Sequence, residues 1–82
     1  MTKQDVINNI GKKVKVAFKP HDRRFPMIGI FVRCHDSEYL ESKGLIRFIN
    51  QSKFDYVKDF SRPEIGLTKI YTISDFNFIQ AL

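Results

Sequence analysis

Tryptophan is absent from the 82 residues, cysteine occurs once, histidine twice, proline three times and glycine four times. The single thiol, Cys34, has no partner for an intramolecular disulfide, and its apolar surroundings mark it as a reduced residue of a core. Together with His21 and His35 it makes no zinc spacing. Adjacent residues of a strand face opposite ways, so Cys34 and His35 neither grip one metal nor form a nucleophile pair. No metal and no cofactor are expected. A glycine-rich phosphate loop and a serine nucleophile context are also missing. The carboxylates Asp36, Glu38 and Glu41 therefore cluster with nothing converging on them, and they read as solvated loop charges. The expectation is a protein that is not an enzyme.

Long apolar runs are lacking too. None approaches the roughly 20 residues that cross a bilayer. The start, Met1-Thr2-Lys3-Gln4-Asp5, has no apolar segment of the secretory kind. These readings point to the cytoplasm and to no membrane partner.

What is present is enough apolar material for one core. Hydrophobic residues make up 43%, and eight Phe and three Tyr are spread along the chain, which excludes a disordered or low-complexity polypeptide. Residues 1–82 are read as a single domain. Thr2-Lys3-Gln4-Asp5 has the spacing of a capping box. Val6, Ile7 and Ile10 then fall on one side of a helix ending before Gly11, over about residues 3–10.

Alternation from Lys12 to Lys19 predicts a half-buried strand with Val14, Val16 and Phe18 inward and Lys13, Lys15 and Lys19 outward. The loop Pro20 to Pro26 separates it from an apolar strand over 27–35, in which Gly29 suggests a bulge or bend. On alternation Phe31, Arg33 and His35 of that strand face outward, and Ile28, Ile30, Val32 and Cys34 share the other face. Asp36 to Gly44 is read as a polar connection. Further strands are expected at 45–50, 67–73 and 77–82, with a tight turn at Ser74-Asp75-Phe76. Residues 51–66 have no clean period. They suit an extension of the third strand, a helical turn, or an ordered loop pinned by aromatics.

A short N-terminal helix and five short strands predict a mainly β fold, a five-stranded and strongly bent antiparallel small barrel. A ferredoxin-like arrangement would need a second long amphipathic helix, for which only residues 52–60 are available.

The layout resembles that of Sm-like proteins and, more broadly, SH3-like small barrels, over nearly the whole chain. Ile10-Gly11-Lys12-Lys13-Val14-Lys15-Val16 is similar to the helix exit and first strand of the Sm-like family, and Ile28-Gly29-Ile30-Phe31-Val32 with Asp36 is similar to its first motif. Tyr39 and Leu40 stand where that family carries an Asn at its RNA site, and Thr72-Ile73-Ser74-Asp75 replaces its Arg-Gly or Cys-Gly pair. The resemblance implies a small barrel that can form rings by strand pairing, hence a homo-oligomer.

Charge gives the functional bias. The net charge is +5, and eight of the 14 cations precede residue 34, against only Asp5 and Asp22. If the first two strands are neighbours, Lys13, Lys15, Lys19, Arg23, Arg24 and Arg33 make one basic patch around Phe31, suited to RNA or DNA. The alternative is a protein-interaction or assembly module without nucleic-acid binding, docking a protein partner through Phe54, Tyr56 and Phe60 or an open strand edge.

Overall fold

The computed structural model describes residues 2–82. Helix α1 (Lys3–Asn8) opens on the expected capping box. The Asp5 N–H donates to Thr2 Oγ1 at 3.3 Å, and the Thr2 N–H donates to Asp5 Oδ2 at 2.8 Å. The helix stops two residues short of the expected end. By Gly11 the chain has already joined the sheet: its N–H donates to the Phe31 carbonyl at 2.9 Å, and its φ of +83° makes the turn that a side chain would strain.

Five antiparallel strands follow: β1 (Lys13–Phe18), β2 (Met27–Val32), β3 (Leu45–Asn50), β4 (Lys69–Thr72) and β5 (Phe76–Ala81), in the order β4-β3-β2-β1-β5. All five expected strands are present, β3 with the expected bounds and the other four with trimmed or shifted ends. β2 ends at Val32 rather than at residue 35 because the Cys34 N–H turns away to Ser37 Oγ at 2.8 Å. The edge strands β4 and β5 share no backbone pairing, so the sheet is not closed. It is nevertheless strongly curled. A flat five-stranded sheet would hold its edges about 19 Å apart, whereas the backbone from Thr72 to Phe76 spans at most about 14 Å. The edges meet through side chains instead, with the Tyr71 and Phe76 ring centroids 6.0 Å apart, and Tyr71 also reaches Phe18 of β1 at 6.2 Å.

The inner face holds the main core. Val14, Val16 and Phe18 of β1 point inward as expected and meet Phe31, Phe48, Phe76 and, from α1, Val6. Phe31 lies edge-on to Phe48 at 5.2 Å. Burying each such ring contributes about 2–3 kcal/mol. Phe31 is fully buried, which corrects the expectation that it faces outward. Alternation sorts β2 into two sets without saying which is inside, and here both are covered. Ile30 and Val32, with Ile49 of β3, form a second cluster on the outer face under Phe54, Val57 and Phe60.

That cover comes from the segment without a clean period. A 3-10 turn over Gln51–Tyr56 and an ordered loop lie across the outer face, and Phe54 meets Phe60 edge-on at 5.4 Å and 88°. Among the described residues no second long helix exists, as a ferredoxin-like arrangement would require. Among the described residues no helix is long and apolar enough to cross a membrane.

Two local expectations are corrected. The polar connection after β2 contains a helix, α2 (Ser37–Ser42), which gives no apolar period because Leu40 is its only buried hydrophobic residue. Gly29 makes no bulge. It pairs regularly with Val14 and Asn50, and a Cβ there would collide with the Ile49 carbonyl oxygen and the Phe48 ring. The bulge lies in the β1–β5 ladder at Ala17/Phe18.

Candidate nucleic-acid interface

Strand register decides which sequence candidates share a surface. β1 and β2 are neighbours, and Lys13 stands opposite Ile30 and Lys15 opposite Ile28, so these lysines lie on the outer face, with Phe31 on the inner one. On the other side of β1, Lys15 stands opposite Gln80 and Ala17 opposite Phe78. Lys13, Lys15, Lys19 and Arg23 are all exposed, and none has a carboxylate partner among the described residues. The strands flanking β1, Met27–Val32 and Phe76–Ala81, contain no charged residue of either sign. The β1 lysines therefore project between two uncharged strands, and neither is paired with a carboxylate among the described residues.

Charge is concentrated here more sharply than the halves of the chain suggest. Residues 12–26 hold six of the 14 cations and only Asp22 of the nine acids, so the net +5 resides in them, while the other eight cations and eight acids cancel.

Two members of the expected patch are committed elsewhere. Arg24 donates through Nε and Nη2 to Asp22 and through Nη2 to Asp75 at 2.9 Å, and its guanidinium lies 4.0 Å from the centre of the Phe18 ring. Its hydrogen bonds hold the Asp22 carboxyl down at about 2. Arg24 is thus a tie between the β1–β2 loop and the turn before β5. Arg33 makes a two-pronged contact with Glu41 of α2, at 3.1 and 2.9 Å, which raises the guanidinium pKa and uses its charge. With Phe31 buried, the structure retains Lys13, Lys15, Lys19 and Arg23 of the seven candidates as free surface groups.

The acidic cluster is likewise structural rather than solvated. Glu41 holds Arg33, and Asp36 receives Arg47 Nε at 2.9 Å and Nη2 at 2.6 Å, leaving only Glu38 of the three exposed and unpaired. The Asp36 carboxyl is held below the usual carboxylate range by the Arg47 hydrogen bonds. Arg47 itself is buried on β3, and its remaining arm donates to Thr68 Oγ1 at 2.7 Å. Among the described residues no buried side-chain nitrogen or oxygen lacks a partner.

Of the docking aromatics, Phe54 and Phe60 are partly buried against the outer cluster, and Tyr56 is 67% exposed. Cys34 lies beside a groove of about 480 Å³ between the end of β2 and residues 61–65, its thiol 3.9 Å from the Pro63 carbonyl and pushed up in pKa by burial. Among the described residues no group of three or more His, Cys, Asp or Glu is placed to hold a metal ion.

Sequence reasoning missed two exposed aromatics next to the lysines. Phe25, 88% exposed, follows Arg23 and Arg24 in the β1–β2 loop; an aromatic set between arginines and a proline was the available signal. Phe78, 46% exposed, gave none, because strict alternation places it on the same face as the buried Phe76. Compared with protein-family models, with curated proteins and with solved structures, the chain matches none.

Proposed function

We infer that this chain is a non-enzymatic nucleic-acid-binding module of the Sm-like or SH3-like small-barrel kind, acting in the cytoplasm and holding RNA or DNA phosphates on the outer side of β1 and its following loop. The observation that carries this reading is the separation of charges. The arginines tied into the fold are neutralised, whereas Lys13, Lys15, Lys19 and Arg23 are exposed and have no carboxylate partner among the described residues, beside two uncharged strands. The small-barrel part is supported by the curl of the sheet and by the three-residue 3-10 link (Ile73–Asp75) between its two edges.

The test is binding of labelled single-stranded RNA and duplex DNA to the purified protein between about 50 and 200 mM salt. Saturable binding that weakens steeply with salt and is lost in Lys15→Glu is expected. Absence of binding at the lowest salt would overturn the reading. A second reading, an assembly module for a protein partner or for copies of itself, rests on the unpaired edges of β4 and β5 and on exposed Tyr56. It predicts association that tolerates salt and responds to Tyr56→Ala rather than to Lys15→Glu.

A further inference from the structure

Phosphate contacts alone do not distinguish a duplex from a single strand. The geometry around β1 does offer a distinction. In β5, Phe76 pairs with Phe18 and Phe78 pairs with Ala17, which leaves Asn77 as the extra residue of a bulge. In a regularly paired strand Phe76 and Phe78, two residues apart, would share a face. With the bulge, Phe76 is 1% exposed in the core while Phe78, 46% exposed, lies on the outer face with Lys13 and Lys15. Bulges re-aim side chains in this way. Phe78 makes no ring–ring contact among the described residues, unlike Phe76, which meets three aromatic rings.

Phe78 has a small residue as its ladder partner and lines a pocket of about 270 Å³ with Asp5 and Asn9 of α1. Directly opposite is Ala17, a methyl side chain between Lys15 and Lys19. Phe25 projects from the loop that leaves the same end of β1, while its neighbour Arg24 is anchored to Asp22 and Asp75. A phenyl face beside a small residue, with unpaired ammonium groups along the same strand, matches a base and its phosphates. Bases in a duplex are stacked on each other and withhold their faces, so only a single strand can use such a surface. Among the described residues no helix suits a major groove: α1 and α2 have six residues each, and α2 carries Glu38 and Glu41.

We propose that the outer face of β1 and β5 is a stacking site for single-stranded nucleic acid, with Phe78 and Phe25 as the base platforms and Lys13, Lys15 and Lys19 as the phosphate contacts. This rests on the nucleic-acid reading above and names its substrate class.

The test measures binding of a labelled single-stranded oligothymidine and of a duplex of equal length to the full chain, the Phe78→Ala, Phe25→Ala and Lys15→Glu variants, and Phe78→Trp. The natural chain has no tryptophan, so Phe78→Trp carries one reporter at the proposed platform. Tighter binding of the single strand is expected. Phe78→Ala should weaken it about tenfold, the scale of one base–aromatic stack, with an unchanged salt slope, and the Phe78→Trp emission should be quenched on binding. The stacking proposal alone is overturned if Phe78→Ala and Phe25→Ala bind like the natural chain, or if the tryptophan emission does not change, while Lys15→Glu still abolishes binding. If the natural chain binds neither probe, the nucleic-acid reading fails and the stacking site with it. Circular dichroism of each variant separates a lost platform from a lost fold.

Discussion

On the side of the sheet formed by β2, α2 and β3, the guanidinium groups of Arg33 and Arg47 lie 2.9 and 2.6 Å from carboxylates. On the side formed by β1 and its loop, Lys13, Lys15, Lys19 and Arg23 have no such partner among the described residues. The difference follows from what each side chain does well. The planar fork of arginine matches a carboxylate at two points and remains charged when half-buried, so it ties α2 to β2 and the α2 entry to β3. Lysine holds a strongly hydrated point charge on a flexible stem. Left on a neutral surface, it keeps that charge available to an external anion. Net charge alone would not separate these two populations, although both contribute to the same +5.

The largest expected effect comes from breaking the tied side. Arg47→Ala removes the partner of both Asp36 and Thr68 and opens a hole beside the outer cluster. Urea unfolding should show a loss of about 3 kcal/mol. A loss below about 0.5 kcal/mol, the range of a neutral surface substitution, would mean that this network contributes no more than the free lysines do.

Acid should next dissolve the ion-paired ties, that of Asp36 on the tied side and that of Asp22 in the β1–β2 loop. Asp22, held at about 2 against an ordinary 3.8, and Asp36, also held low, favour the folded state above their unfolded values. That contribution is complete above about pH 4 to 5 and is lost as pH falls through the folded values. The urea midpoint should therefore drop on acidification from about pH 4 to pH 2, and Asp22→Asn should flatten part of that slope. An unchanged slope in Asp22→Asn would show that the Arg24 tie contributes nothing to it.

How much of this was legible in the sequence depended on how many faces of an element were covered. In β1 one face is buried and the other wet, so alternation placed Val14, Val16, Lys13 and Lys15 correctly. In β2 both faces are covered, and alternation could not show that Phe31 belongs inside, because Ile30 and Val32 are equally apolar. The covering segment, residues 51–60, has no period because it is an irregular lid whose order comes from Phe54 and Phe60 meeting the sheet. Helix α2 was hidden for a related reason: ion pairs to Arg33 and Arg47, not an apolar stripe, hold its region in place. Phe78 was hidden by a single bulged residue, which reverses every face assignment on one side of it.

The smallest effect on stability tests the free side most sharply. In the double variant Lys13→Gln and Lys15→Gln, two exposed and unpaired ammonium groups are replaced by neutral side chains of similar length on β1. Pairing with β2 and β5 is through the backbone and is retained. Stability should change by less than about 0.5 kcal/mol. The slope of log affinity for a single strand against log salt should nevertheless become shallower by about 1.4, one counterion-release increment of about 0.7 for each phosphate no longer neutralised. A slope that stays the same while stability also stays the same would place the polyanion elsewhere on the molecule. A large loss of stability would instead show these lysines to be as tied into the fold as Arg47, and the contrast between the two sides would disappear.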